Sequence, residues 1–258
     1  TLAAIITPSM YSMDSIMNML QNNAVFGLLA VGEMLVILTG GIDISIGATL
    51  SFSGVVCCRL MAENPTVPAI VWVVLSLVVG AVCGLINGSL VGYFKIVPMI
   101  ATLGTMYAYR GFSFLFSGGE WWFPHQFTQQ YQDFATKRFL GISSLLWILI
   151  IVFILAMIFL GYTSRGRRIY AIGTNRESAR IASINEARVT LMAMTICGML
   201  AGLAGMLYTA NYATCSYSIG ESYEMTAIAI CILGGVSITG GKGKVDGVFI
   251  GFIMMSVI

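Results

Sequence analysis

Leu29-Ala30-Val31-Gly32-Glu33-Met34-Leu35-Val36-Ile37-Leu38-Thr39-Gly40-Gly41-Ile42-Asp43-Ile44-Ser45-Ile46-Gly47 is the stretch on which the fold turns. An apolar run stops at a glycine pair, an acidic residue follows, and the apolar run resumes. With its flanks the stretch gives apolar segments at 24–39 and 46–61, each near the roughly 20 residues a transmembrane helix needs. A carboxylate at the centre of such a helix costs roughly 2.5–3.5 kcal/mol, so it normally faces a polar cavity or a partner. Gly40 and Gly41 let the helix break and approach another backbone closely. A break frees backbone groups that are tolerated only within protein or beside water. Two readings remain: a hairpin turn between two spans, or a re-entrant break lining a route. Periodicity does not separate them.

Composition carries the membrane reading to the whole chain. Of the 258 residues, 58% are hydrophobic and 9% charged, against roughly 25% charged in ordinary soluble domains, and the mean hydropathy is +0.90. Further spans are expected near 68–92, 98–116, 142–161 and 189–210, with shorter apolar pieces at 1–7, 225–234 and 247–258. The piece at 225–234 reads as a half-helix or as a span continuing from 221. Segment 9–23, with Asp14, Asn18, Gln21, Asn22 and Asn23, reads either as an amphipathic helix in the interface or as the polar start of the next span. The chain opens on Thr1 without a basic leader and stops inside an apolar run, so the expectation is truncation at both ends. A net charge of +2 without a basic tail predicts no nucleic-acid partner.

Lys and Arg accumulate in short cytoplasmic loops. Segment 162–188 holds Arg165, Arg167, Arg168, Arg176, Arg180 and Arg188, and Lys95, Lys242 and Lys244 each lie two spans away, which puts nine of thirteen basic residues on one side. Arg59, Lys137 and Arg138 fall on the other side, where loop 117–141 carries Trp121, Trp122, Phe123, Pro124 and His125. That cluster suits an aromatic interfacial belt or a docking surface for an extracytoplasmic partner. The six cysteines lack metal or redox spacing and read as packing residues. One internal echo pairs residues 40–47 with 234–241, with four identities at Gly40, Gly41, Ile44 and Gly47.

Candidate route residues follow from polarity inside apolar surroundings: Glu33, Asp43, Ser45, Asn87 and Arg110, with Glu224 and Asn211 of the same kind. A buried structural pairing is the competing reading for Glu33 and Arg110. Segment 163–188 is too long for a simple turn. Asn175 can cap a short helix running from Glu177 to Ala182, which would serve as a docking element or as an orientation-setting basic loop at the headgroups. There is one histidine and no hydrolase or metalloprotease motif. Gly240-Gly241-Lys242-Gly243 fails as a phosphate loop, with Val236 at the first glycine position and Gly243 in place of Ser or Thr. Any ATP is therefore expected on another polypeptide.

Four stretches resemble the permeases of bacterial ABC importers for monosaccharides, the ribose, xylose and galactose type with autoinducer-2 relatives: Leu29 to Gly47, Ile100 to Thr105, Gly173-Thr174-Asn175 with the helix after it, and Leu233 to Gly243. The resemblance implies an all-α polytopic transmembrane helical bundle of the type II importer kind, one permease domain in a bacterial plasma (inner) membrane. It implies no directly bound cofactor, cytoplasmic ATPase subunits that use the ATP, an extracytoplasmic sugar-binding protein, a second permease subunit in a homo- or heterodimer, and membrane lipid around it. It further implies that 162–188 is a cytoplasmic coupling loop, with Gly173, Asn175, Ala179, Arg180 and Ser183 at the ATPase. The alternative class is an ATP-independent secondary transporter or channel for a small polar solute.

Overall fold

A computed structural model describes residues 12–257; the apolar piece 1–7 lies outside them. The described chain forms eleven α-helices and one two-stranded hairpin. The long helices are α1 (Met13–Leu38), α2 (Ile46–Glu63), α3 (Ala69–Gly92), α4 (Pro98–Ser117), α6 (Ser144–Tyr162) and α9 (Glu186–Tyr212). The short ones are α5 (Gln129–Thr136), α7 (Ser164–Thr174), α8 (Arg176–Ile181), α10 (Tyr223–Leu233) and α11 (Val245–Val257).

Helix α1 begins where Ser12 accepts a hydrogen bond from the Ser15 N–H, with Asp14 in the first turn, both favourable at a helix N-terminus. The polar residues from 13 to 23 are thus the start of the first span. Every residue from Gly27 to Thr39 is buried, because α9, α6, α10 and α11 pack around α1. A helix apolar on all sides belongs at the centre, and α1 sits there.

Among the described residues, five helices are long and apolar enough to cross a membrane: α1, α2, α3, α6 and α9. Helix α4 is less apolar, carrying Thr102, Thr105, Tyr109 and Arg110 in its 20 residues. It still joins the two ends of the bundle. Its N-terminus follows Lys95, whose ammonium lies 3.6 Å from Glu186 at the start of α9; near its C-terminus the Phe116 carbonyl accepts from Arg59, close to the far end of α2. The six long helices therefore occupy the six expected spans, with the arginine-rich segment at the end of the bundle where α9 begins.

Between membrane helices apolar contact alone gives little drive to associate, because lipid tails are equally apolar; close packing of small residues supplies it. On α3, Gly80, Gly84, Gly88 and Gly92 recur every four residues and so share one face. A Cβ at any of them would strike the backbone of α9, at Gly198, Met194, Leu191 and Ala187 respectively. Gly198 and Gly202 return the contact against Gly80 and Ser76. The opposite face of α3 exposes Val71, Val74, Val78 and Val82, a surface for lipid.

At the far end, loop 117–141 is ordered by α5 and by a hairpin pairing Arg138–Phe139 with Ile142–Ser143. Trp122 is buried and exchanges backbone hydrogen bonds with Cys215, whereas Trp121 and Phe123 are about half exposed. All six cysteines are free and buried.

Candidate functional site

The chain breaks its helical course twice inside the bundle. The first break, residues 39–45, leaves α1 at the arginine-rich end and turns back inward before α2 starts. Gly40 takes φ +81°, a left-handed residue just past a helix end, where glycine is favoured. The Gly40 and Gly41 N–H groups still reach carbonyls of α1, and beyond them side chains take the N–H groups of residues 43–45. Glu33 Oε1 accepts from the Asp43 N–H at 3.0 Å, Thr102 Oγ1 from the Ile44 N–H at 3.1 Å, and Asp43 Oδ1 from the Ser45 N–H at 2.8 Å. Asp43 Oδ1 also accepts from Ser45 Oγ at 2.7 Å. The Asn87 amide donates to Ser45 Oγ at 2.7 Å and to Asp43 Oδ2 at 3.3 Å, and its carbonyl accepts from Tyr109 at 3.2 Å. Glu33, Asp43, Ser45 and Asn87 are each at most 1% exposed. Side chains from α1, α3 and α4 thus hold the segment inside the bundle.

The second break, residues 213–222, runs inward from the end of α9 and leaves α10 only 11 residues long, a half-helix of roughly 15 Å. Here carbonyls need partners. Ser51 Oγ donates to the Tyr217 carbonyl at 2.7 Å, and Arg110 donates to the carbonyls of Tyr217 and Ile219. Gly220 and Ser222 both take positive φ. The second break abuts the start of α2: a Cβ on Gly47, in the first turn of α2, would strike the Gly220 carbonyl and crowd the Glu224 carboxylate. That contact lies roughly 24 Å along α2 from its far end. Glu221 and Ser222 are exposed there, and Tyr107 on α4 is 68% exposed.

Of the sequence candidates, Glu33, Asp43, Ser45 and Asn87 come together in one buried cluster. Arg110 lies apart, at the second break. Asn211 accepts from Gln21 near the far end, and Glu224 is buried beside Gly47. The sequence reading passed over Tyr109, Glu221 and Ser222. The signal available for the last two was Gly220-Glu221-Ser222 placed directly before a short apolar run.

The arginine-rich segment folds into a helical elbow, α7 then α8. Thr163 caps α7, accepting from the Gly166 N–H, and Asn175 caps α8, accepting from the Ser178 N–H at 3.0 Å. Ile169, Ile172 and Ala179 face inward; Arg180, Ser183 and Ile181, the last 86% exposed, face out. Gly173 does not face out: it abuts the Leu38 carbonyl and Gly241. Burial pushes the Tyr170 phenol above its ordinary range, and it donates to the Gly243 carbonyl at 2.9 Å. Between the elbow and the first break a cavity of about 290 Å³ is lined by Thr39, Gly41, Lys95, Pro98, Arg176 and Glu186. Glu186 pairs with Arg176 at 3.1 Å and with Lys95 at 3.6 Å.

The echo between 40–47 and 234–241 has a physical basis in these turns. Gly40 and Gly235, at φ +81° and +77°, each follow the end of an apolar helix. The structural pairing is therefore offset by one from the echo, which aligns Gly40 with Gly234. A shared way of ending a helix explains it, not a repeat in register.

Residues 15–258 match a family described as the permease component of the branched-chain amino acid transport system. Among curated proteins, the ribose import permease protein of Escherichia coli K12 is 35% identical over 255 residues, covering 97% of this chain and 78% of that protein. The ribose import permease protein of Bacillus subtilis is 36% identical over 257 residues, covering 100% of this chain and 79% of that protein. The autoinducer 2 import system permease protein of Salmonella choleraesuis is 35% identical over 231 residues, 90% of this chain and 65% of that one. No solved structure matches.

Proposed function

This chain belongs to the family of permease components of the branched-chain amino acid transport system, and on that premise we propose that it is the membrane permease subunit of an ATP-driven importer that moves a simple sugar into the cytoplasm. The observation that carries the reading is identity of 35–36% with two ribose import permeases across 97–100% of the chain. In this proposal the chain binds no ATP and performs no covalent chemistry. Cytoplasmic ATPase subunits hydrolyse the nucleotide, an extracytoplasmic sugar-binding protein delivers the solute, and a second permease subunit completes the route. The outward face of α8, with Arg180 and Ile181, is the docking surface for the ATPase, and Asn175 holds that helix by its cap. Arg110, Glu221, Ser222 and Tyr107 line the route, because exposed polar groups at that depth are costly against lipid. Glu33, Asp43, Ser45 and Asn87 hold the re-entrant backbone behind it. Binding and hydrolysis of ATP then shift the balance between two arrangements of the same bundle.

The test is co-purification of the permease with the ATPase encoded beside it, followed by ATPase activity in lipid nanodiscs with candidate sugar-loaded binding proteins. Stimulation by one loaded binding protein is the expected outcome, and it names the sugar. Solute movement in liposomes without any associated ATPase would replace this reading with a secondary transporter.

A further inference from the structure

The elbow and both Gly-rich turns meet at one point. Gly173, in the last turn of α7, has no room for a side chain: a Cβ there would strike the Leu38 carbonyl and the Gly241 backbone. The Gly241 N–H donates to the same Leu38 carbonyl at 3.0 Å. A Cβ on Gly240 would lie 2.9 Å from Gly40 N and 3.2 Å from the Gly173 Cα, and one on Gly241 would strike the Thr174 backbone. Four glycines from three segments thus bring backbone against backbone with no side chain between them. Gly40 opens the turn that leads, within three residues, to Asp43 and its cluster. Gly240 and Gly241 lie in the loop that joins α10 to α11.

We propose that this four-glycine contact is the mechanical link through which movement of α8 reaches the first helix break, with Gly173 as its positioning residue. The proposal rests on the reading of the chain as an ATP-driven permease. Side chains hop between rotamers and absorb displacement, whereas packed backbone transmits it. The link has two further ties on the elbow, one from α7 and one from α8. Tyr170 holds the loop at Gly243. Arg176, whose guanidinium lies beside Gly40, is also anchored to Glu186. A shift of the elbow therefore displaces Gly40 and the loop 234–244 together. Docking and transmission are assigned to different residues: the exposed Arg180 and Ile181 dock, and the buried contact at Gly173 transmits.

Gly173 is the clean probe because its backbone is helical, so alanine adds a steric wedge without conformational strain. The experiment uses the full chain assembled with its ATPase in nanodiscs. It compares Gly173→Ala, Tyr170→Phe and Ile181→Ala for assembly, basal ATPase activity and sugar transported per ATP hydrolysed. For Gly173→Ala the expected result is intact assembly, basal ATPase within twofold of wild type, and transport per ATP lowered at least tenfold. Tyr170→Phe should lower that ratio severalfold, and Ile181→Ala should weaken assembly instead. Transport per ATP within twofold of wild type in Gly173→Ala overturns the link, as does loss of assembly in a folded Gly173→Ala, which would move Gly173 into the docking surface. Should Gly173→Ala fail to fold by size-exclusion, Tyr170→Phe decides alone, with an unchanged ratio overturning the proposal. Failure of the wild-type chain to associate with any ATPase would instead sink the underlying importer reading.

Discussion

The two helix breaks solve opposite halves of one problem. The break at 39–45 leads into the N-terminus of α2, so its exposed groups are N–H donors, and the chain meets them with acceptors: two carboxylates and one hydroxyl. The break at 213–222 trails from the C-terminus of α9, its exposed groups include carbonyls, and the chain meets them with a guanidinium and a serine hydroxyl. In each case the side chains present the hydrogen-bonding partner that the unpaired backbone lacks, acceptors at the first break and donors at the second, as at any helix end. Inside a membrane the match is compulsory, because no water stands by to replace a missing partner. The difference lies in what is left over. The first break is sealed, with every member of its cluster buried, whereas the second leaves Glu221 and Ser222 uncovered.

The largest effect should come from unsealing the first break. Asp43→Ala strands the Ser45 N–H and the Ser45 hydroxyl and removes one of the two bonds donated by the Asn87 amide. Each buried orphan costs about 1–3 kcal/mol, so a loss of about 3 kcal/mol or more is expected, read as a sharp fall in the thermal unfolding midpoint in detergent. Melting within a degree or two of wild type would mean that the cluster does not hold the break. Arg110→Ala should cost less, about 2 kcal/mol, since it removes charge-assisted bonds to two carbonyls at a half-buried site that water from a route can partly replace. Arg110→Lys should recover only part of the loss, because an ammonium lacks the planar fork that reaches both carbonyls. Full recovery by lysine would show that charge alone, and not the forked geometry, secures the second break.

The spans were legible because burial in lipid demands long apolar runs whatever the tertiary packing. Helix α4 was legible as a span by the length of its apolar run even though Arg110 and its hydroxyls lower its hydropathy. The course of residues 39–45 was not, since Ile42-Asp43-Ile44-Ser45 pairs with Glu33, Asn87 and Thr102 from three other helices, and no local pattern encodes those contacts. Asn175 as a cap was visible because a cap bonds only three residues ahead. Gly173, by contrast, is similar to any helical glycine in sequence; its inward contact with Leu38 and Gly241 spans more than 60 residues on either side. The same holds for Glu221, whose exposure depends on where the half-helix α10 is set against Gly47.

Glu221 offers the smallest effect on stability and the sharpest division between a face for lipid and a face for solute. A carboxylate against hydrocarbon carries a penalty of roughly 2.5–3.5 kcal/mol, so if that face met lipid, Glu221→Leu would remove the penalty, raise the unfolding midpoint and leave uptake intact. If the face meets a water-filled route, the same change alters an exposed group, for which shifts stay within about 0.5 kcal/mol, while the solute loses a polar contact. We expect the second pattern: an unfolding midpoint close to wild type and sugar uptake in nanodisc-derived or whole-cell assays lowered at least tenfold. A stabilised and fully active Glu221→Leu protein would assign the face to lipid, and would leave Arg110 as a purely structural partner of the second break.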